Sequence, residues 1–194
     1  MLSSFQLFLI QFVFITPIVI VVNFFKRKSF RFQLYSSMIS IYLFALLSIT
    51  LTPVYIDLRV IESLRSQGYG FGIPVNMTPF FSIKSYDLNS SIGKRNFFGN
   101  LVLLVPFGMI IGKQVKRYIL LFSLFGIFIS GVIESIQYLL TSLYVIQPRS
   151  TDIDDVILNS IGFSFGLYVV YWIKKTLKKD AKVQTNIRVN TRGH

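Results

Sequence analysis

A chain of 194 residues that is 53% hydrophobic, charged at only 14% of its positions and +0.60 in mean hydropathy is not built like a soluble domain, where about a quarter of residues carry charge. Long apolar runs take the place of the missing charge, so the net charge of +12 belongs to loops that meet lipid headgroups and set orientation, not to nucleic-acid binding. With no cysteine and a single histidine, His194, at the last position, disulfides, thiol chemistry, soft-metal sites, imidazole catalysis and the common zinc arrangements are all excluded.

A membrane-spanning helix takes about 20 mostly apolar residues. Five segments meet that need: Phe5–Phe25, Leu34–Leu51, Asn96–Gly112, Tyr118–Leu140 and Asp155–Ile173. The first lacks a basic start and a small-residue cleavage site, and "KRK" follows it, so it reads as a retained span and not a signal peptide. The third is short and interrupted by Pro106, where a kink is expected. The fold class predicted is all-α: an integral membrane helical bundle of about five transmembrane helices plus a short amphipathic interfacial helix. It forms one domain over 1–175, and a basic, structureless cytoplasmic tail covers 176–194.

Between the spans the basic residues alternate. "KRKSFR" after the first span holds four, "KQVKR" after the third holds three, and the chain from Lys174 onward holds seven, whereas the loop containing Arg149 holds one. Short basic loops stay in the cytoplasm, so the N-terminus is expected outside and the C-terminus inside, in a multi-pass cell-membrane protein. Pro53–Arg95 and the Arg149 loop then both lie on the extracytoplasmic side. Pro53–Arg95 is too long for a simple connection. Its first part places Ile56, Val60, Ile61 and Leu64 on one helical face, the pattern of a helix lying at the interface. "GYGFGIPVNMTPFFS" follows as an irregular lid or re-entrant piece, and its Gly-x-Gly-x-Gly precedes no nucleotide-fold helix.

Ionisable side chains inside spans cost about 2.5–3.5 kcal/mol each on insertion scales and are functional candidates by default. Ser130, Glu134 and Gln137 form one helical stripe, which Gly126 extends. Asp155, Asn159, Gly162 and Gly166 form a second, and Asn96, Asn100 and Leu103 share a third face. Packing is expected through Gly126, Ser130, Gly162 and Gly166, with the polar groups gathered toward the outer leaflet and "RSTDIDD", Arg149–Asp155, beside them. Each residue also has a plain structural reading. Asp154 and Asp155 suit a helix start, Glu134 suits an ion pair with Arg149, and Asn100 and Asn159 suit hydrogen bonds between helices.

At "NFFGNLVLLVPFGMIIG", "SGVIESIQYLL" and "RSTDIDDVILNSIGFSFG" the chain resembles the VanZ-like family of bacterial membrane proteins, in the family's order over Asn96–Gly166. The matching residues are Asn100, Pro106 and Gly108; Ser130, Glu134 and Gln137; and Arg149, Asp152, Asp154, Asp155, Asn159 and Gly162. The resemblance implies a cell-envelope protein whose namesake lowers susceptibility to teicoplanin-type glycopeptide antibiotics. It supplies no mechanism.

Three functions compete. In the first, a polar pocket formed by Asn100, Gln137, Arg149, Asp152 and Asn159 binds or modulates an amphiphilic envelope molecule. Membrane lipids, a lipid-linked cell-wall precursor or a lipoglycopeptide are the expected partners, and Arg149 suits a phosphate or carboxylate. In the second, an intramembrane enzyme acts on an envelope lipid. Glu134 is then its acid or base with Asp155, and Asp152 with Asp154 holds Mg2+ or Ca2+, although the sequence requires neither ion. The third is a channel, transporter or assembly factor, against which the lack of an internal repeat counts.

Overall fold

A computed structural model describes residues 1–68 and 74–191. The middle of the glycine-rich stretch, with most of its Gly-x-Gly-x-Gly, and His194 lie outside the described residues. Among the described residues, five helical runs are long and apolar enough to cross a membrane: Ser4–Phe25, Phe30–Thr50, Ser91–Gly112, Ile119–Ser142 and Ile153–Lys178. All five expected spans are present.

The ends of these helices follow from local chemistry. α1 (Ser4–Phe25) opens on a capping box, in which Ser3 accepts from the Gln6 amide while the Gln6 side chain accepts from Ser3 N at 3.0 Å. α2 (Phe30–Thr50) begins four residues before the expected Leu34, because the Ser29 hydroxyl accepts from Phe32 N and starts the helix ahead of the apolar run. α3 (Leu58–Ser66) is the expected amphipathic helix, with Asp57 as its cap. Ile56 precedes the helix and so is not part of its face. Arg59 both donates its side chain to Asp57 and offers its backbone N–H, holding the Asp57 carboxyl below the ordinary carboxylate range.

The third span is two helices. α5 (Ser91–Leu103) ends at Leu104 and α6 (Val105–Gly112) starts beside it, with Pro106 in its first turn. Pro106 has no N–H to continue the ladder of α5, but an opening turn tolerates it. Two short elements complete the region: α4 (Phe81–Ser85), and a two-residue parallel pairing of β1 (Val75–Asn76) with β2 (Thr151–Asp152). α7 covers Ile119–Ser142. α8 starts at Ile153 and does not stop at the expected Ile173; its helical backbone continues through the basic segment to Thr191, with side chains described to Lys178.

The chain divides into two compact units. Met1–Met77 with Val132–Asp152 form one, and Thr78–Gly131 with the chain from Ile153 onward form the other. In the first unit α1 and α2 make a hairpin. Leu2 and Val54 bridge at its open end, Val54 also bridges to Ile146, and Tyr55 N donates to Val145 O at 2.9 Å. In the second unit α8 packs along α5 and α6 with almost no side-chain spacer. A Cβ added at Gly162 would stand 1.9 Å from Leu101 O, and one at Gly166 would stand 2.1 Å from Val105 O. In the other direction, a Cβ at Gly108 would stand 2.0 Å from Phe163 O. The two helical runs are therefore parallel, meeting through the pairs Gly108/Gly112 and Gly162/Gly166. Such small-residue seams suit lipid, where close backbone contact replaces the hydrophobic effect as the reason to associate. Gly126 of α7 lies instead against the Phe163 ring, and Leu104, Phe163 and Leu167 are fully buried.

Candidate functional site

The polar stripe on α7 faces inward, as its spacing requires. Gly126, Ser130 and Glu134 are buried and Gln137 is half-buried, although α7 is otherwise largely apolar. In the first unit Glu134, 7% exposed, accepts from Asp152 N at 2.9 Å. Asp152, 6% exposed, in turn accepts from the Asn76 side chain at 2.9 Å. The short parallel pairing explains this meeting, since it sets Asn76 beside Asp152 in register. A buried carboxylate needs such donors to offset its lost hydration.

Gln137 and Arg149 take up the other end of α2. The last carbonyls of a helix have no partner within it, and Gln137 Nε2 donates to Thr50 O at 2.8 Å; just past the helix Arg149 Nη2 donates to Thr52 O at 2.7 Å. Thr52 also donates its hydroxyl to Ser48 O and shares a short hydroxyl contact with Ser4. The polar cluster is thus two sets of contacts, Glu134 with Asp152 and Gln137 with Arg149 around Thr50–Thr52, joined in sequence by Glu134 and Gln137 on one face of α7. Arg149 is at the surface.

In the second unit the acidic start of α8 has a different task. Asp154 is fully buried, and its two oxygens accept from Phe80 N at 2.5 Å, Ser82 N at 2.8 Å and Ile83 N at 3.0 Å. It acts as a clasp on the segment around α4, where Phe80 adopts a left-handed φ of 65°. Asp155, half-buried, accepts from Tyr86 OH at 3.3 Å. Asn159 is 3% exposed and its Oδ1 is buried without a hydrogen-bond partner. Asn100 is half-buried on α5. The helix-start reading of Asp154 is therefore extended: the carboxylate holds the backbone of a segment more than seventy positions away in sequence.

Asp152 and Asp154, the pair expected to hold a cation, accept hydrogen bonds from these protein donors. Among the described residues no group of three or more His, Cys, Asp and Glu side chains is placed to hold a metal ion. Sequence reasoning missed Asn76, Thr52, the Phe80–Ile83 amides and Lys174. Lys174 Nζ reaches Lys113 O at 2.6 Å and Val115 O at 3.3 Å, a basic cap on the end of α6. Its only sequence signal was a lysine at the end of an apolar run. Backbone amides and lone threonines carry no such signal.

Five span-length apolar helices, a glycine seam and buried carboxylates tied to backbone donors define a multi-pass helical membrane protein with a built polar interior. Residues 38–175 match the family model described as VanZ/LLP1, and the chain belongs to that family. No curated protein and no solved structure matches it.

Proposed function

We propose that this chain is a cell-envelope protein whose polar cluster engages the headgroup of a lipid-linked or amphiphilic envelope molecule on the extracytoplasmic side. That engagement lowers susceptibility to teicoplanin-type glycopeptides. The observation that carries the reading is Glu134, a carboxyl group buried within an apolar helix and held by the amide of Asp152, which lies three positions along the chain from the surface residue Arg149. A cost of about 2.5–3.5 kcal/mol for a charge in a span is hard to account for by packing when Gln at the same place would accept the same bond. Arg149, exposed and donating one nitrogen to Thr52 O, carries the charge and the planar donor set that suit a phosphate or carboxylate. The protein donors on Asp152 and Asp154 favour binding over carboxylate–cation chemistry at those two residues.

Glu134→Gln keeps the shape and an acceptor oxygen for Asp152 N while removing the ionisable group, so it perturbs the structure least while testing function. Expressed in a teicoplanin-susceptible host, Glu134→Gln and Arg149→Ala should both lose the protection conferred by the parent chain while reaching the membrane in equal amounts. Full protection by both variants would return these residues to a purely structural role. Asn100→Ala, Asp155→Asn and Asn159→Ala, tested alongside, measure what the second unit's candidates contribute.

A further inference from the structure

The turn between α1 and α2 has a charge pattern that the polar cluster does not explain. Lys26, Arg27, Lys28 and Arg31 crowd into six positions, and Asp57 is the first acidic residue in the chain. Within the first unit the carboxylates Asp57, Glu62, Glu134 and Asp152 belong to the opposite end of the hairpin, where Leu2 bridges Val54 and Gln137 meets Thr50 O. The 22 residues of α1 separate the two ends by about 33 Å at 1.5 Å per residue. That is about four Debye lengths at physiological salt. The four cations therefore have no counter-charge from their own unit.

The turn is also shaped. A recess of about 460 Å3 is lined by Phe24, Phe25, Arg27, Lys28 and Gln33. Its frame is tied down: Gln33 Nε2 donates to Lys28 O at 3.0 Å, Asn23 Nδ2 donates to Ser36 Oγ at 2.8 Å, and Lys28 Nζ sits 5.3 Å from the Phe32 ring centre. The start of α2, whose first N–H groups point out of the helix, opens at the same turn. Phe24 and Phe25 are 70% and 78% exposed beside these cations. Because the turn joins two span-length helices, it lies where hydrocarbon gives way to headgroups.

We infer that the α1–α2 turn is a binding site for the phosphate of an anionic phospholipid, with Arg27 and Lys28 on the phosphate and Phe24 and Phe25 against the acyl chains. This inference is independent of the polar cluster and of which leaflet the turn faces. Juxtamembrane basic residues attract anionic lipid individually; a recess with aromatic walls turns that attraction into a defined site.

The test uses the full chain purified into phosphatidylcholine nanodiscs containing a minor fraction of phosphatidylglycerol, with bound lipid counted by native mass spectrometry. The parent chain should retain phosphatidylglycerol over phosphatidylcholine. Arg27→Gln/Lys28→Gln should reduce that retention about tenfold or more, while Lys175→Gln/Lys178→Gln, with the same change of net charge, should leave it intact. Equal loss in the tail variant would make retention a net-charge effect and overturn the site, as would equal retention of both lipids. Addition of inorganic phosphate is the second arm. Retention that survives it supports a lipid ligand, and complete displacement overturns the lipid in favour of free phosphate.

Discussion

Asp154 shows how one residue type carries a structural instruction that its neighbours in sequence do not share. Asp152, Asp154 and Asp155 lie within four positions, yet Asp152 accepts from a side-chain amide, Asp154 from three backbone amides and Asp155 from a tyrosine hydroxyl. Of the three, Asp154 is the most deeply buried. Asp154→Ala leaves the amides of Phe80, Ser82 and Ile83 without their acceptor, and hydrogen bonds to a charged group contribute roughly 1.5–3 kcal/mol each. A loss of about 3 kcal/mol or more is expected, read as a lower thermal unfolding temperature and faster proteolysis near Phe80–Ser85. Asp155→Ala, at a half-buried position whose contact with Tyr86 OH is long at 3.3 Å, should cost less than Asp154→Ala. Equal effects at the two positions would mean that the clasp does not hold the segment. The bunching of acidic residues before an apolar helix was visible in the sequence. The division of labour among them was not, because the amides of a distant turn leave no mark in the alphabet.

Among the helices, glycine position decides packing and proline position decides continuity. Gly108, Gly112, Gly162 and Gly166 sit where a methyl group would enter another helix's backbone, whereas a methyl group at Gly99 or Gly131 would meet nothing within 4 Å. Gly→Ala at Gly162 or Gly166 should therefore destabilise the bundle and lower the amount of folded protein in the membrane. At Gly99 or Gly131 the same change should be neutral or stabilising by about 1 kcal/mol, since alanine is the better helix former. Fluorescence size-exclusion profiles of detergent-solubilised variants check both. If Gly162→Ala were as stable as Gly131→Ala, the close seam would be wrong. The spacing of these glycines was plain in the chain, but their partner was not. A stripe of small residues announces a close contact without saying which helix fills it, and the seam lies with α5 and α6, while Gly126 takes the Phe163 ring.

Over the molecule as a whole, the distribution of basic loops is what supports the proposed orientation. The chain has no cysteine, so a single introduced thiol reports without background. Ser150→Cys should react with a membrane-impermeant maleimide in intact cells, and Lys178→Cys only after permeabilisation. The reverse pattern would invert the proposed N-outside, C-inside arrangement and move the proposed binding face to the cytoplasm. Basic residues favour the cytoplasmic side because of the membrane potential and anionic lipid, forces external to the fold that can be read from loop composition alone.

Sequence by itself determined that this chain crosses a membrane, where its five spans lie, which helical faces are polar and to which family it belongs. These follow from the cost of exposing polar groups to hydrocarbon and from helical periodicity, both of which act over a few neighbouring residues. Tertiary structure alone decided the partners: Asn76 on Asp152, Asp152 on Glu134, the Phe80–Ile83 amides on Asp154, and Gly162 against Leu101. The energy of each such contact resides in the meeting of two segments, and a linear pattern describes each segment without the other.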